Sequence, residues 1–279
     1  MEASIRLRDI QIVWAAKVFR MVGAIGYGRR LIEGVGRTSF GATIWGSILG
    51  YRRTFRALDE AERAVKPYAK GGHENLANLA LHLELNRVAR PSDYAAFYYL
   101  RDPIPAINKI FDLGGNVGNL YYCYKDYLPL RADVSWTVYD LPETIAYGKT
   151  LATSRNISNL QFTDDLRQAD GVDLFIASGS LQYFDKSLPE LLQGLDRRPK
   201  YVLINRVPMT EDQDFAVVQD AGHIRVACML HNRSRLIADF ERLGYKVLGE
   251  WQATELRLTV LDRPSSSVWA YTGLWLELV

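Results

Sequence analysis

Two carboxylates and a glycine-rich loop are the residues of this sequence best suited to organised chemistry. The stretch FDLGGNVG places Asp112 two residues before Gly114, and Gly115 and Gly118 follow. Glycines at these positions let backbone N–H groups and a helix N-terminus approach a ligand closely. Asp140 follows in VYDLPE, about one βαβ unit later along the chain. A carboxylate at the end of that strand can accept hydrogen bonds from both hydroxyls of a ribose.

The charge of this loop favours a cationic nucleoside over a dinucleotide. Leu113 stands where the fingerprint G-x-G-x-x-G requires its first glycine. The carboxylate of Asp112 at the mouth of the loop disfavours phosphate groups, whereas it suits a positively charged ligand. The residues therefore indicate a nucleoside that carries a sulfonium ion, with NAD-dependent oxidoreduction as the weaker alternative.

Alternating strand and helix patterns from residue 107 onwards would position these residues. Five short apolar runs and the helical patterns between them predict parallel strands with helices on both faces. The segments KVLGEWQATE and VWAYTGLWLELV then predict a C-terminal antiparallel hairpin, with the aromatic tail as its edge strand. We therefore expect one α/β domain over residues 109–279.

The first 108 residues have a different pattern, in which helical apolar spacing predominates. We expect residues 1–108 to form a helical region that acts as a lid or in dimerisation. Apolar residues from Ile10 to Val22 recur at helical spacing, interrupted by Lys17 and Arg20. This pattern favours packing on the same domain or on a second copy, as in a homodimer, and membrane-surface contact is the alternative.

The composition of the chain bears on its possible partners and on its location in the cell. A formal charge of +2 over 279 residues is too small to indicate nucleic acid as a partner. Two cysteines, Cys123 and Cys228, cannot form a disulfide framework, which favours the cytoplasm. The sequence contains no apolar run of 18 residues, so we expect no transmembrane segment. The spacing His223-x4-Cys228-x2-His231 matches no strong zinc pattern, and we expect no metal.

Several motifs taken together resemble class I S-adenosylmethionine-dependent methyltransferases. They are DLGGNVGNLYY, WTVYDLP and ASGSLQYF. The DLP after the second strand is similar to plant-type small-molecule O-methyltransferases. The longer combination resembles methyltransferases encoded in bacterial surface-polysaccharide loci. The resemblance covers residues 40–279 and implies a Rossmann-like seven-stranded sheet that ends in an antiparallel hairpin, with S-adenosyl-L-methionine as cofactor.

The resemblance also implies that residues at the carboxyl ends of the first four strands hold the cofactor. Asp140 would hold the ribose hydroxyls, with Leu141 against the adenine. Asp164 or Asp165 would meet the adenine amino group, although each also suits a helix N-cap. The glycine loop would face the methionine part, and two serines would lie near the sulfonium. The full expected set is Asp112, Gly114, Gly115, Gly118, Asp140, Leu141, Asp164, Asp165, Ser178 and Ser180.

The acceptor side of the site is predicted less specifically. Plant-type O-methyltransferases have a catalytic histidine after the fourth strand, and the nearest match here is Gln182. Glutamine can position a hydroxyl group but cannot act as a general base. We therefore expect the base among His223, His231 and Tyr183, with Gln182, Tyr183 and His223 in the acceptor pocket.

The expected function is S-adenosylmethionine-dependent O-methylation of a small-molecule or sugar hydroxyl. Such a reaction would belong to the biosynthesis of a bacterial polysaccharide or natural product. N-methylation of a small molecule is the alternative within the same fold. Because Gln182 replaces the expected histidine, a non-catalytic cofactor-binding or scaffold member of a biosynthetic complex is the alternative from another class.

Overall fold

The computed structural model describes residues 27–28, 30–31, 35, 54–65, 83–84, 86–220, 225–258, 260 and 264–279. The chain divides into two units. The first consists of residues 1–72, 214–229 and 258–267, and the second of residues 73–213, 230–257 and 268–279. The amphipathic pattern over residues 10–22 lies outside the described residues. The domain boundary at residue 108 stays a prediction.

Six α-helices and eleven strands lie wholly within the described residues. The helices are α1 Leu58–Val65, α2 Pro91–Leu100, α3 Asn119–Tyr124, α4 Pro142–Ser154, α5 Leu188–Gln193 and α6 Arg233–Arg242. The strands are β1 Thr54–Phe55, β2 Lys109–Leu113, β3 Ser135–Tyr139, β4 Leu160–Thr163, β5 Leu174–Ser178, β6 Tyr201–Val207, β7 Met209–Thr210, β8 Phe215–Asp220, β9 Arg225–Asn232, β10 Tyr245–Ala253 and β11 Tyr271–Leu278. All five predicted parallel strands are present as β2 to β6.

The second unit contains a seven-stranded sheet in the order β10-β11-β6-β5-β2-β3-β4. Strands β6, β5, β2, β3 and β4 are parallel, whereas β11 is antiparallel to both of its neighbours. The chain runs outward from β2 through β3 to β4, then continues on the other side with β5 and β6. The strand order therefore reverses between β2 and β5, where open α/β sheets bind their ligands. The predicted Rossmann-like sheet with its antiparallel hairpin is confirmed.

The predicted edge position of the aromatic tail is wrong. Strand β11 lies between β10 and β6, and β10 forms the edge. Six consecutive residues of β11 are buried, whereas β10 alternates between buried and more exposed positions. A strand that packs on both faces has apolar residues at nearly every position, and the segment YTGLWL has this composition.

Hydrophobic cores cover both faces of the seven-stranded sheet. Ile110 and Trp136 belong to one cluster, and Phe111 and Leu113 to the other. Successive residues of a strand point to opposite faces. Asp112 therefore shares the face of Ile110, and its carboxylate lies in the buried interior beneath the carboxyl edge of the sheet.

The first unit contains strand pairs that the sequence patterns did not predict. Strand β1 pairs antiparallel with β8, which neighbours β9. Helix α1 packs through Leu58 and Ala61 against Ala216 of β8. In the second unit, the short strand β7 pairs with the last two residues of β9.

Candidate active site

A cavity of about 390 Å³ lies at the carboxyl edge of the seven-stranded sheet. Each of the five parallel strands, or the loop that follows it, contributes to the wall. This convergence follows from the parallel arrangement, which brings the carboxyl ends of all five strands to one edge. The lining residues are Asn86, Gly114, Gly115, Asn116, Asn119, Leu120, Tyr139, Asp140, Leu141, Pro142, Asp164, Ser178, Gly179, Ser180, Tyr183, Phe184 and Arg206.

Gly114 begins the glycine loop in a conformation that side chains disfavour. Its φ is +67°, and a Cβ atom at this position would lie 2.4 Å from Cβ of Ser180. The N–H of Gly114 donates to the carbonyl of Tyr139 at 2.8 Å, and Ser180 Oγ donates to the carbonyl of Leu113. The first hydrogen bond fixes the start of the loop to the end of β3, and the second fixes it to the segment that follows β5.

Asp112 lies behind the glycine loop and does not line the cavity. A Cβ atom on Gly115 would be 2.4 Å from Oδ2 of Asp112, so the loop passes directly over this carboxyl group. Trp136 Nε1 donates to Oδ2 at 3.2 Å, while Oδ1 has no hydrogen-bond partner among the described residues. Burial is the main cause that raises the pKa of Asp112 to about 7. Gly118, with φ +92°, packs against Leu160 and also lies outside the lining.

Replacing Asp112 with asparagine is expected to change the pH dependence of stability. The pKa of about 7 in the folded protein exceeds that of an unfolded aspartate, so the folded state binds more protons between about pH 4 and 7. Stability therefore falls as pH rises through this range, by up to about 4 kcal/mol. Urea unfolding of the wild type and Asp112→Asn from pH 5 to 8 measures the difference. A difference that is constant with pH would contradict the raised pKa.

Asp140 lines the cavity at the end of β3. Its Oδ2 accepts from the N–H of Asn116 and its Oδ1 from the N–H of Leu141, each at 2.8 Å. Burial raises the pKa of Asp140, and these two backbone hydrogen bonds oppose that rise. Because each carboxylate oxygen accepts more than one hydrogen bond, both oxygens can still accept from a ligand.

The two acids after β4 have different environments. Asp164 lines the cavity. Asp165 instead accepts from the N–H of Arg167, as the N-cap of the short helix Leu166–Ala169, and also pairs with the Arg167 guanidinium at 2.9 Å. This pairing lowers the pKa of Asp165. Asp164 is therefore the acid placed to meet a ligand.

The expected catalytic and acceptor residues are separated in the structure. Tyr183 lines the cavity. Gln182 is buried outside the lining, and its Nε2 donates to the carbonyl of Gly179 at 2.8 Å. His231 is buried in β9 opposite Met209 and also lies outside the lining. His223 is outside the described residues.

Arg206 and Asp93 are functional candidates that the sequence reasoning missed. Arg206 lines the cavity although its side chain is only 4% exposed, and its Nη1 donates to both carboxylate oxygens of Asp93 at 2.9 Å. Asp93 belongs to α2 and is remote from Arg206 in the chain. A charged residue within the apolar run YVLINRV was the available signal for Arg206.

None of the described helices is long and apolar enough to cross a membrane. The described residues contain no group of three or more His, Cys, Asp or Glu side chains that is arranged to hold a metal ion.

Comparisons with known proteins give no match by sequence and several matches by structure. No protein-family model and no curated protein matches the chain. The chain is similar to an O-methyltransferase family protein from Burkholderia thailandensis, with 18% identity, 71% of this chain and 57% of that chain covered, and a TM-score of 0.47. The chain is also similar to the N-terminal domain of EvdMO1 with SAH bound, with 15% identity and a TM-score of 0.46. That match covers 67% of this chain and 79% of that chain.

Another similar structure is the mitomycin 7-O-methyltransferase MmcR, with 14% identity and a TM-score of 0.41. The match covers 73% of this chain and spans about half, 54%, of that chain. The fold is established by the strand order and the strand directions of the sheet itself. With β11 inserted antiparallel between β10 and β6, the chain has the Rossmann-like seven-stranded sheet that the sequence resemblance predicted.

Proposed function

We propose that this chain is an S-adenosylmethionine-dependent methyltransferase that acts on a hydroxyl group of a small molecule or sugar. The observation that carries the proposal is Asp140, which lines the cavity at the end of β3. Its carboxylate is fixed by two backbone N–H groups and can still accept from a ribose diol. N-methylation remains the alternative within the same fold.

The residues of the cavity fit this cofactor in shape and charge. Gly114 and Gly115 line the cavity without side chains, so a ligand can approach their backbone closely. Asp140 and Asp164 supply carboxylates that suit a ligand with positive charge. When bound, S-adenosylmethionine would supply an electrophilic methyl group on a sulfonium ion. Ser178 and Tyr183 supply hydroxyl groups to the same cavity.

The acceptor would occupy the part of the cavity beside Tyr183. Phe184 and Leu120 supply apolar surface to the cavity, and Asn86 and Asn119 supply polar groups. We keep Tyr183 as a candidate base because it lines the cavity, and His223 as a candidate from the sequence alone. This combination of apolar and polar lining suits a small molecule that carries a hydroxyl group.

Replacing Asp140 with alanine is expected to weaken binding of S-adenosylhomocysteine by about tenfold or more, since hydrogen bonds to a charged group are lost. Isothermal titration calorimetry on the folded wild type and variant measures the change. Absence of binding by the folded wild type would refute the proposed function. Unchanged affinity in Asp140→Ala would refute the ribose assignment.

Two neighbouring acids provide a matched control for this experiment. Asp164→Asn should weaken S-adenosylhomocysteine binding, because Asp164 lines the cavity. Asp165→Asn should leave the affinity within about twofold, because the Asp165 carboxylate is engaged by Arg167 and lies outside the lining. The reverse order of effects would show that Asp165 is the acid that meets the adenine.

We also propose a cytoplasmic location and a homodimeric assembly. We place the protein in the cytoplasm because neither of its two cysteines, Cys123 and Cys228, forms a disulfide bond. We propose that the homodimer forms through the N-terminal region, because the sequence of that region has an apolar helical pattern.

A further inference from the structure

The floor of the cavity contains a buried arginine whose position is costly to maintain. Arg206 has φ +56°, a left-handed conformation that is uncommon for a residue with a side chain. Between the pairs Thr272–Val207 and Leu274–Ile204, β6 has one residue more than β11, which forms a β-bulge. Bulges and strained backbones are frequent beside functional sites, where they direct a side chain. The left-handed backbone and the bulge therefore indicate that Arg206 has a role other than packing.

Asp93 holds one end of the Arg206 guanidinium. Both carboxylate oxygens accept from the single nitrogen Nη1, so the pair does not use the two-nitrogen fork of arginine. Oδ1 of Asp93 also accepts from Tyr124 Oη at 2.9 Å and from Asn205 Nδ2 at 3.2 Å, and Oδ2 accepts from the N–H of Arg90 at 2.9 Å. The negative charge of Asp93 is thus shared among several donors.

The opposite edge of the guanidinium, formed by Nε and Nη2, has N–H groups that can donate to a ligand. Nη2 donates one hydrogen bond to Ser178 Oγ at 2.8 Å, and Nε has no acceptor among the described side chains and backbone groups. Arg206 is also the single cationic side chain among the described residues that line the cavity. An arginine edge of this type is suited to binding an anionic oxygen.

Ser178 extends this arrangement by one hydroxyl group. An arginine can only donate, so Ser178 Oγ acts as the acceptor of that hydrogen bond, and its own proton is available for a second one. In the described part of the chain, no acceptor is present for this proton. Because Ser178 lines the cavity, its hydroxyl can donate to a ligand there.

We propose that Arg206 and Ser178 form a binding site for one anionic oxygen of a ligand in this cavity, with Asp93 as the positioning residue. The ligand class is a carboxylate or an acidic hydroxyl, such as a phenol or enol, bound in its ionised form. This inference rests on the proposed function for its biological meaning. For an acidic acceptor, the site would favour the ionised hydroxyl, so that a neighbouring histidine base would not be needed.

Two sources of the anionic oxygen can be separated with two nucleosides. S-adenosylhomocysteine carries a carboxylate, whereas 5′-methylthioadenosine lacks the amino-acid part. Calorimetry compares both nucleosides on the full chain of the wild type, Ser178→Ala and Arg206→Met. If the oxygen belongs to the cofactor, the variants lose about tenfold in affinity for the first nucleoside and nothing for the second. That result would support the proposal.

The second arm uses 4-nitrophenol, whose anion is coloured, with and without S-adenosylhomocysteine. If the oxygen belongs to the acceptor, the wild type should lower the apparent pKa of bound 4-nitrophenol by about one unit. Ser178→Ala should reduce this shift and Arg206→Met should abolish it, while nucleoside affinities stay unchanged. This outcome would also support the proposal, and it is read from absorbance rather than from activity.

Controls keep both arms interpretable. Ser178→Ala leaves the Asp93–Arg206 ion pair intact, so it tests the site even if Arg206→Met fails to fold. Ser154→Ala, at an exposed helix end outside the cavity, should behave as the wild type. If neither nucleoside discrimination nor the phenol shift responds to Ser178→Ala, the proposal is overturned. If the wild type binds no nucleoside, the proposed function fails, and the 4-nitrophenol arm still tests the anion site.

Discussion

Replacement of Asp93 by alanine is expected to lower the free energy of unfolding by about 3–5 kcal/mol, the usual cost of removing one partner from a buried ion pair. Both partners are almost fully buried, with side-chain exposures of 4% for Arg206 and 2% for Asp93. The variant would leave the guanidinium in the interior without its counterion. It would also remove the acceptor of the buried Tyr124 hydroxyl group.

Urea unfolding of Asp93→Ala against the wild type measures this loss. Asp102→Ala is the matched control, because Asp102 pairs with Arg101 at 3.0 Å but both side chains are largely exposed. Exposed pairs contribute little, so this control should change stability by less than about 1 kcal/mol. The double variant Asp93→Ala, Arg206→Met should lose less than the sum of the single variants, since no buried charge remains unpaired. Strict additivity would contradict the buried pair.

Gly114→Ala is expected to lower the free energy of unfolding by about 2–4 kcal/mol. Two costs add at this position. The φ of +67° disfavours any residue with a Cβ atom, by about 1 kcal/mol. The new Cβ would also lie 2.4 Å from Cβ of Ser180, and such overpacking typically costs about 1–3 kcal/mol. Thermal or urea unfolding of the variant gives the total.

Gly179→Ala separates these two costs. Gly179 has a similar φ of +72°, but a Cβ atom there would meet nothing within 4 Å. This control should therefore lose only the conformational part, about 1 kcal/mol. The difference between the two variants then measures the contact between the glycine loop and Ser180. Equal losses in both variants would show that the loop and the segment after β5 separate readily.

The sequence predicted the parallel sheet well because its strands are short apolar runs separated by helical patterns. Strands β2 to β6 and the C-terminal hairpin all form where the patterns indicated. The order of the last two strands could not be predicted from alternation alone. An aromatic-rich strand can lie at an edge or between two neighbours, and only the burial of both faces of β11 decides this.

The candidate site was predictable where a motif and a strand end coincide, and less so elsewhere. Asp140 lines the cavity because it directly follows β3. Asp112 has the expected position in the chain, but the two-residue period of β2 directs it into the interior beneath Gly115. The Asp93–Arg206 pair joins a helix before the sheet to a bulge in β6, a contact between residues remote in sequence. No local pattern reveals such a contact.

The insertion of β11 between β10 and β6 has a consequence for biosynthesis on the ribosome. In the seven-stranded sheet β10 pairs with β11 alone, and the outer edge of β6 also pairs with β11. The strand pairing of this sheet therefore cannot be completed until residues 271–278 have emerged from the exit tunnel. Until then, the nascent chain exposes the unpaired outer edge of β6, which invites pairing with other chains. We expect a nascent chain stalled before Tyr271 to depend on chaperones.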